Sequence, residues 1–313
     1  MIAAQDFGII PDETPEPLMD GHINSTYKVT SRGKAYVLQS LSPEVFREPV
    51  TVMDNISAVA AAFASSGEKR VGVPGFLTSC GRNYTVRDGT LWRMYPFITP
   101  EITERPDYLS GLAFGTFIRV TQNLRLRPVI NGFHDFRAYL ARLRELAPEH
   151  RMTVRLEALG KTLSSVFTPD IPLRTIHGDA KPDNVLTGKK CTVIDLDTAM
   201  NGYAALDFGD LTRSLGDDAG RFREAANGFA EGLHGLLTHA EVGTLYYGLL
   251  WTSGELAARY LADYISGDGY FKGKTPAQRL GRALELSEQL ELYSGRKQQL
   301  CSAIRAAFAE EEK

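Results

Sequence analysis

The chain has little cysteine, no excess of positive charge and no long apolar run, and each lack closes off a class of function. Its three cysteines, Cys80, Cys191 and Cys301, are odd in number and carry no CxxC spacing. That excludes a disulfide framework and a cysteine zinc site and fits reduced thiols. The 35 Lys and Arg against 38 Asp and Glu leave a formal net charge of −3, whereas a general nucleic-acid binder would be basic. Local basic runs at 119–127 and 137–144 alternate with Leu and Phe and read as solvated helix faces. The most apolar stretch, 242–265, contains Glu255, Arg259 and Asp263, so no membrane span is expected. The opening residues Met1-Ile2-Ala3-Ala4-Gln5-Asp6 lack the basic start and apolar core of a secretory signal, and a cytoplasmic location is expected. The G-x-x-x-x-G-K-[ST] phosphate loop is also missing. Gly273-Lys274-Thr275 invites that reading, but the position five before Gly273 is Asp268, and the segment follows a helical pattern rather than a strand.

What the chain does have is His177-Gly178-Asp179-Ala180-Lys181-Pro182-Asp183-Asn184, followed by Val193-Ile194-Asp195-Leu196-Asp197. Phosphoryl transfer needs a carboxylate that orients or deprotonates the acceptor hydroxyl, and oxygen ligands that hold Mg²⁺ on the ATP phosphates. Asp179 fits the first role, and Lys181 can reach a γ-phosphate oxygen as a point charge. Asn184 and Asp195 fit the metal, since Mg²⁺ takes one or two protein carboxylates and completes its shell with phosphate and water. Asp195 ends the apolar run Thr192-Val193-Ile194, so a strand is expected to hold it rigidly. Asp197 can share the metal or bond to substrate. His177, two residues before Asp179, is expected to be a structural hydrogen-bonder. Asp207-Phe208-Gly209 spells the metal-binding tripeptide of protein kinases but lies twelve residues beyond Asp195. Asp207 is therefore expected to brace the catalytic loop by accepting hydrogen bonds rather than to bind metal.

The surrounding pattern suits such a loop. Apolar alternation predicts strands at 23–30 and 35–41 around a turn at 31–34, a helix over 50–63, and strands at 84–86 and 91–95 around Arg87-Asp88-Gly89. Pro96, Pro100 and Pro106 then break the chain, which places a hinge at 95–99. Helical periodicity follows at 108–124, 134–146, 152–166, 222–237, 241–265 and 276–307, interrupted between Leu173 and Phe208. The expectation is an α+β, two-lobed, protein-kinase-like fold. Residues 1–97 would form an N-lobe with a small antiparallel sheet that binds nucleotide, and 98–313 a mostly helical C-lobe with the catalytic loop and acceptor pocket. In the first hairpin, Gly21-His22-Ile23-Asn24-Ser25-Thr26-Tyr27 has one glycine and short polar residues that let a turn approach phosphates. Asn24, Ser25 and Thr26 are the nucleotide-binding candidates there, and Tyr95 and Phe97 at the hinge are candidates to frame adenine.

The set Asp179, Asn184 and Asp195 in this order of elements resembles the aminoglycoside phosphotransferase and choline kinase superfamily. Within it, Gly21–Tyr27, Tyr36-Val37-Leu38-Gln39, the string from Phe46 to Ile56, Val193–Met200, Asp207-Phe208-Gly209-Asp210, Arg259–Tyr264 and Gly267–Phe271 are similar to N-acetylhexosamine 1-kinases. The resemblance implies an ATP- and Mg²⁺-dependent kinase that phosphorylates the anomeric hydroxyl of N-acetylglucosamine or N-acetylgalactosamine. It implies Asp179 as base, Asn184 and Asp195 on the metal, and Arg259 with Tyr270 in the sugar site. Gln39 stands where the superfamily carries a phosphate-binding lysine, and Gly178 stands where the sugar kinases would carry Asn. The residues themselves leave open a kinase of homoserine, choline, methylthioribose or an aminoglycoside, and a kinase-like binding module without turnover.

Overall fold

A computed structural model describes residues 2–18 and 24–309. Gly21, His22 and Ile23 of the expected phosphate-covering turn lie outside them. A short helix α1 (Ile2–Gln5) precedes strands β1 (Glu16–Pro17), β2 (Ser25–Ser31) and β3 (Lys34–Ser40). Helix α2 (Pro49–Ser66) and strands β4 (Val71–Gly72), β5 (Thr85–Arg87) and β6 (Thr90–Pro96) follow. Four of these strands join β1 in one antiparallel sheet of order β1-β2-β3-β6-β5. Alternation gives the sheet one apolar face and one of mixed character. On the apolar face, Val29, Leu38 and Met94 pack with Ala3 and Ala4 of α1 and with Phe7 just beyond it. Helix α2 buries Val52, Met53, Ile56, Val59 and Phe63 at helical spacing and packs on α3. Pro49 opens that helix and Gly67, at φ 71°, closes it.

The remainder is mostly helical: α3 (Pro106–Thr121), α4 (Phe136–Leu146) and α5 (Arg151–Val166). Strands β7 (Arg174–Ile176), β8 (Val185–Leu186), β9 (Cys191–Val193) and β10 (Met200–Gly202) come next. Helices α6 (Ala204–Ser214), α7 (Ala219–Leu233), α8 (His239–Ser266), α9 (Pro276–Gly295) and α10 (Lys297–Ala309) complete the order. The protein-kinase-like fold, an antiparallel sheet region followed by a helical part, is as the sequence predicts. Two elements depart from expectation. The pattern read as one helix over 276–307 is two, broken at Arg296 with φ −98° and ψ 13°. The segment carrying Asp207, where no helix is expected, is the first turn of helix α6.

Close helix crossings set the scaffold. Gly111 and Gly115 of α3 face Gly228 and Gly232 of α7, and a Cβ on Gly228 would come within 1.9 Å of the Tyr108 carbonyl oxygen. Helix α8 begins with a capping box between Thr238 and Glu241 and ends at Gly267. Its length lets one rigid rod carry both Glu255 and Arg259. Among the described residues no helix is long and apolar enough to cross a membrane.

Candidate active site

The catalytic-loop residues 177–184 join β7 to β8, and Asp195 follows β9 directly, so two small strand pairs bring the four expected chemical groups to one place. Parallel pairing of β4 with β9 ties this floor to the N-terminal half. Asp179 is half-buried. Its carboxylate accepts from Lys181 Nζ at 2.7 Å and from Asn184 Nδ2 at 3.2 Å. Burial opposes ionisation, but the Lys181 ammonium holds the carboxyl below the usual carboxylate range. Asn184 also donates to the Asp179 carbonyl at 2.8 Å. Both amide hydrogens are thereby directed at Asp179, and the amide oxygen has no protein donor among the described residues.

Asp195 adopts φ 58° and ψ 53°, the left-handed region, and its side chain is exposed to the cleft. Desolvation by the surrounding protein, and then the charges of Asp197 and Asp179, raise its carboxyl to about 6. A cation beside it would relieve that repulsion. An unpartnered amide oxygen and an uncompensated carboxylate form a donor set that fits Mg²⁺. Among the described residues no group of three His, Cys, Asp or Glu could hold a metal by itself.

Asp207 is fully buried and accepts from the backbone amides of His177 (2.7 Å) and Gly178 (2.9 Å). Burial raises it to about 6 against those hydrogen bonds. His177 lies edge-on to Phe114 and Phe117. Its Nε2 donates to the Ile194 carbonyl at 2.9 Å, and its Nδ1 accepts from the Asp179 amide at 3.2 Å. The loop and the segment leading into Asp195 are thus held in one frame. Gly178 has φ 80°, and a Cβ there would lie 2.6 Å from the Thr198 carbonyl oxygen. The asparagine expected from the resemblance would not fit this backbone unaltered.

Two side chains expected at the nucleotide or substrate are committed elsewhere. Asp197 is 3% exposed, with both oxygens taken by Arg93, one of them at 3.1 Å, and one also by Asn24 Nδ2 at 2.6 Å. Asn24 accepts from the Ser42 amide at 3.1 Å. Neither side chain lines the cleft, because each satisfies a buried group in the other half of the molecule. Tyr95 is buried edge-on to Phe76 at 5.2 Å, and burial pushes its hydroxyl to about 12. It is core at the hinge rather than an exposed platform. Phe97 is half-exposed, with Lys28 Nζ 5.6 Å from its ring centre. Ser25 is exposed, and Thr26 accepts from Gln39 at 3.0 Å.

Arg259, expected in the acceptor site, is enclosed by rings. Its guanidinium lies 5.1 Å from the Tyr270 ring centre, 5.3 Å from Tyr139, 5.8 Å from Phe271 and 5.9 Å from Phe133, and it donates to the Tyr270 hydroxyl at 2.7 Å. Asp263 accepts from the amides of Tyr270 (2.8 Å) and Phe271 (3.0 Å) and pins that loop over the arginine. The local acids are paired: Asp210 with Arg213 at 2.7 Å, Asp263 with Arg279 at 3.2 Å, and Glu255 with His134 at 3.2 Å and Arg259 at 3.6 Å. Arg93, His134, Arg213 and Glu255 were not singled out from the sequence. Arg93 carried a signal, an arginine inside the strand run Leu91-Trp92-Arg93-Met94-Tyr95.

His134 makes a pH prediction. Its Nε2 faces the Gly178 carbonyl at 2.8 Å and its Nδ1 faces Glu255. Burial works against the charge, but Glu255, Asp210 and that carbonyl raise the imidazole from 6.5 to about 9. A folded pKa above the unfolded one gives stabilisation that is complete below pH 6.5 and lost as pH rises through 9. The difference amounts to about 3 kcal/mol. Melting temperature is expected to fall between pH 6.5 and 9.5 in the native protein, and to fall less steeply in His134→Gln. Parallel pH profiles would refute the assignment.

Comparison with known proteins agrees with this geometry. The family model described as the phosphotransferase enzyme family matches residues 14–271. The chain belongs to that family. Among solved structures, a choline/ethanolamine kinase family protein from Mesorhizobium loti superposes with a TM-score of 0.65 at 17% identity, covering 94% of this chain and 93% of that one. A microcompartment-associated aminopropanol kinase gives 0.65 at 15% identity, with 95% and 97% covered. A spectinomycin phosphotransferase in complex with ADP and spectinomycin gives 0.60 at 15% identity, with 93% and 95% covered. At such identities the likeness is one of fold, and within this phosphotransferase family the acceptor has to be argued from the site.

Proposed function

We propose that this phosphotransferase uses Mg-ATP to phosphorylate a neutral sugar, an N-acetylhexosamine at its anomeric hydroxyl, with residues 1–97 as nucleotide lobe and 98–313 carrying the acceptor site. The observation that carries the neutral acceptor is the occupied cage. A cationic amino alcohol or aminoglycoside would need an open aromatic cage or an uncompensated acid. Here Arg259 already fills the ring of aromatics, and Asp210, Glu255 and Asp263 each have a cationic partner. Arg259 and the exposed Tyr270 offer donors suited to sugar hydroxyls and an acetamido carbonyl.

In this reading Asp179, ionised at neutral pH, orients the acceptor hydroxyl and takes its proton as the phosphoryl group transfers. Lys181 moves from Asp179 to a phosphate oxygen when nucleotide binds. Asn184 and Asp195 would hold Mg²⁺, which supplies neutralisation of charge developing on the phosphates. Closure of the sheet region over the loop excludes water, so catalysis rests on positioning and electrostatics.

The test is ADP release with Mg-ATP against N-acetylglucosamine, N-acetylgalactosamine, glucose, galactose, homoserine, choline and kanamycin. A 1-phosphate of an acetamido sugar is the expected product. Turnover confined to choline or kanamycin would mean that Arg259 leaves its cage to admit a cation, and would overturn the sugar assignment. ATP binding without turnover on any acceptor would favour a binding module.

A further inference from the structure

Thr26, Gln39 and Arg93 are direct cross-strand partners on β2, β3 and β6, and together they form one polar row on the inner face of the sheet. Kinases of this architecture place a lysine on the third strand, paired with a glutamate from the following helix, and both must be in place for phosphate binding. Here neither partner exists. The strand position is Gln39, and the single acidic residue of α2, Asp54, is exposed and paired with Arg127. The buried residues of α2 are apolar apart from Thr51 and Asn55, and none of them is acidic.

A different cation occupies the centre of the row. Arg93 is 2% exposed, forks to the two oxygens of Asp197 and donates through Nε to Gln39 Oε1 at 3.0 Å. Guanidinium has no acceptor, so the Gln39 amide must present its oxygen to Arg93 and its NH₂ away from it. One of those hydrogens goes to Thr26 Oγ1 at 3.0 Å, and the other remains for a ligand in the cleft, where Gln39 is half-exposed. At the other end, Asp197 is two residues beyond Asp195, and Asn24 ties the same carboxylate to the start of β2. One buried arginine therefore touches both the residue in the lysine's place and the turn that carries the candidate metal ligand.

We propose that Arg93 is a positioning residue that replaces the strand-lysine and helix-glutamate pair, aiming the Gln39 amide at the nucleotide phosphates and locking the Asp195–Asp197 turn to the sheet through Asp197. The inference rests on the kinase reading above. It has a consequence opposite to what the superfamily pattern suggests: restoring the lysine harms the site. Gln39→Lys sets a second cation against Arg93 when Asp197 is already taken by Arg93 and Asn24, and the other nearby acid, Asp195, is the carboxylate needed for the metal.

The experiment measures Mg-ADP affinity by calorimetry, with ATP KM and kcat where turnover is available, and thermal midpoints as the check on folding. Gln39→Lys is expected to weaken Mg-ADP binding about tenfold and to raise ATP KM more than it lowers kcat. The double variant Gln39→Lys with Arg93→Gln returns one cation to the row, beside Asp197, and is expected to recover to within about threefold of native. A folded Gln39→Lys protein that binds Mg-ADP as tightly as native would overturn the inference. So would a double variant no better than the single. Absence of nucleotide binding in the native protein would instead overturn the kinase reading and this inference with it, so the two failures are distinguishable.

Discussion

Asp179→Asn is expected to cut turnover by at least about 10³-fold while the protein still folds, because a positioned general base contributes roughly 10²–10⁴ and the same change also disturbs the charge beside the transferring phosphate. The substitution keeps the shape of the side chain. The backbone amide of residue 179 still donates to His177, and Asn184 still donates to the carbonyl of residue 179. What is lost is the carboxylate that Lys181 holds in its ionised form. Lys181 and Asp179 are both partly exposed to the cleft, so the freed ammonium can be solvated and the stability cost stays small. Rates of ADP release from purified protein, beside a circular-dichroism melt, check both halves of the expectation. A folded Asp179→Asn protein within tenfold of native turnover would remove Asp179 from the mechanism.

The parts of this site that were legible in the sequence are those whose geometry is local. Asp179, Lys181 and Asn184 share one loop, so their offsets alone imply a common site, and the apolar run before Asp195 marks the strand that presents it. The parts that were not legible depend on register between distant segments. Arg93 and Asp197 meet only because β6 pairs with β3 in one alignment and α2 packs on the turn after Asp195. A shift of one residue would turn Arg93 to the opposite face and bring Trp92 and Met94 inward in its place. For the same reason, the side chain of Asp197 read as free for metal or substrate when its buried partner lay in the other half of the molecule. His134 is similar: it stands at φ 57° just before α4 and reaches Gly178 and Glu255, contacts with no trace in local pattern. The helix over 204–214 was missed because Asp-Phe-Gly near its start reads as loop chemistry, whereas tertiary packing against α8 makes it helical.

That packing yields the second large effect. Gly209 of α6 and Gly248 of α8 meet backbone to backbone: a Cβ on Gly248 would lie 1.8 Å from the Ala205 carbonyl oxygen, and one on Gly209 would lie 2.3 Å from the Gly248 carbonyl oxygen. Backbone cannot yield as a flexible side chain does, so Gly248→Ala must push the two helices apart by more than about 1 Å, the overpacking that typically costs roughly 1–3 kcal/mol and occasionally more. The consequence reaches the chemistry, because α6 carries Asp207, which holds the catalytic-loop amides, and also Asp210 and Arg213. Helix α8 carries Glu255 and Arg259. Gly248→Ala is therefore expected to lose about 3 kcal/mol in urea unfolding and about 10²-fold in kcat, the scale of a 1 Å misplacement of reacting groups. Gly243→Ala on the same helix is the control. Its Cβ would meet nothing within 4 Å, and there the better helix propensity of alanine should leave stability equal or raised by up to about 1 kcal/mol. Equal behaviour of the two variants would mean that the α6–α8 crossing is not what fixes the catalytic loop. A stability loss at Gly248 with kcat intact would confine the crossing to the fold and detach Asp207 from the mechanism.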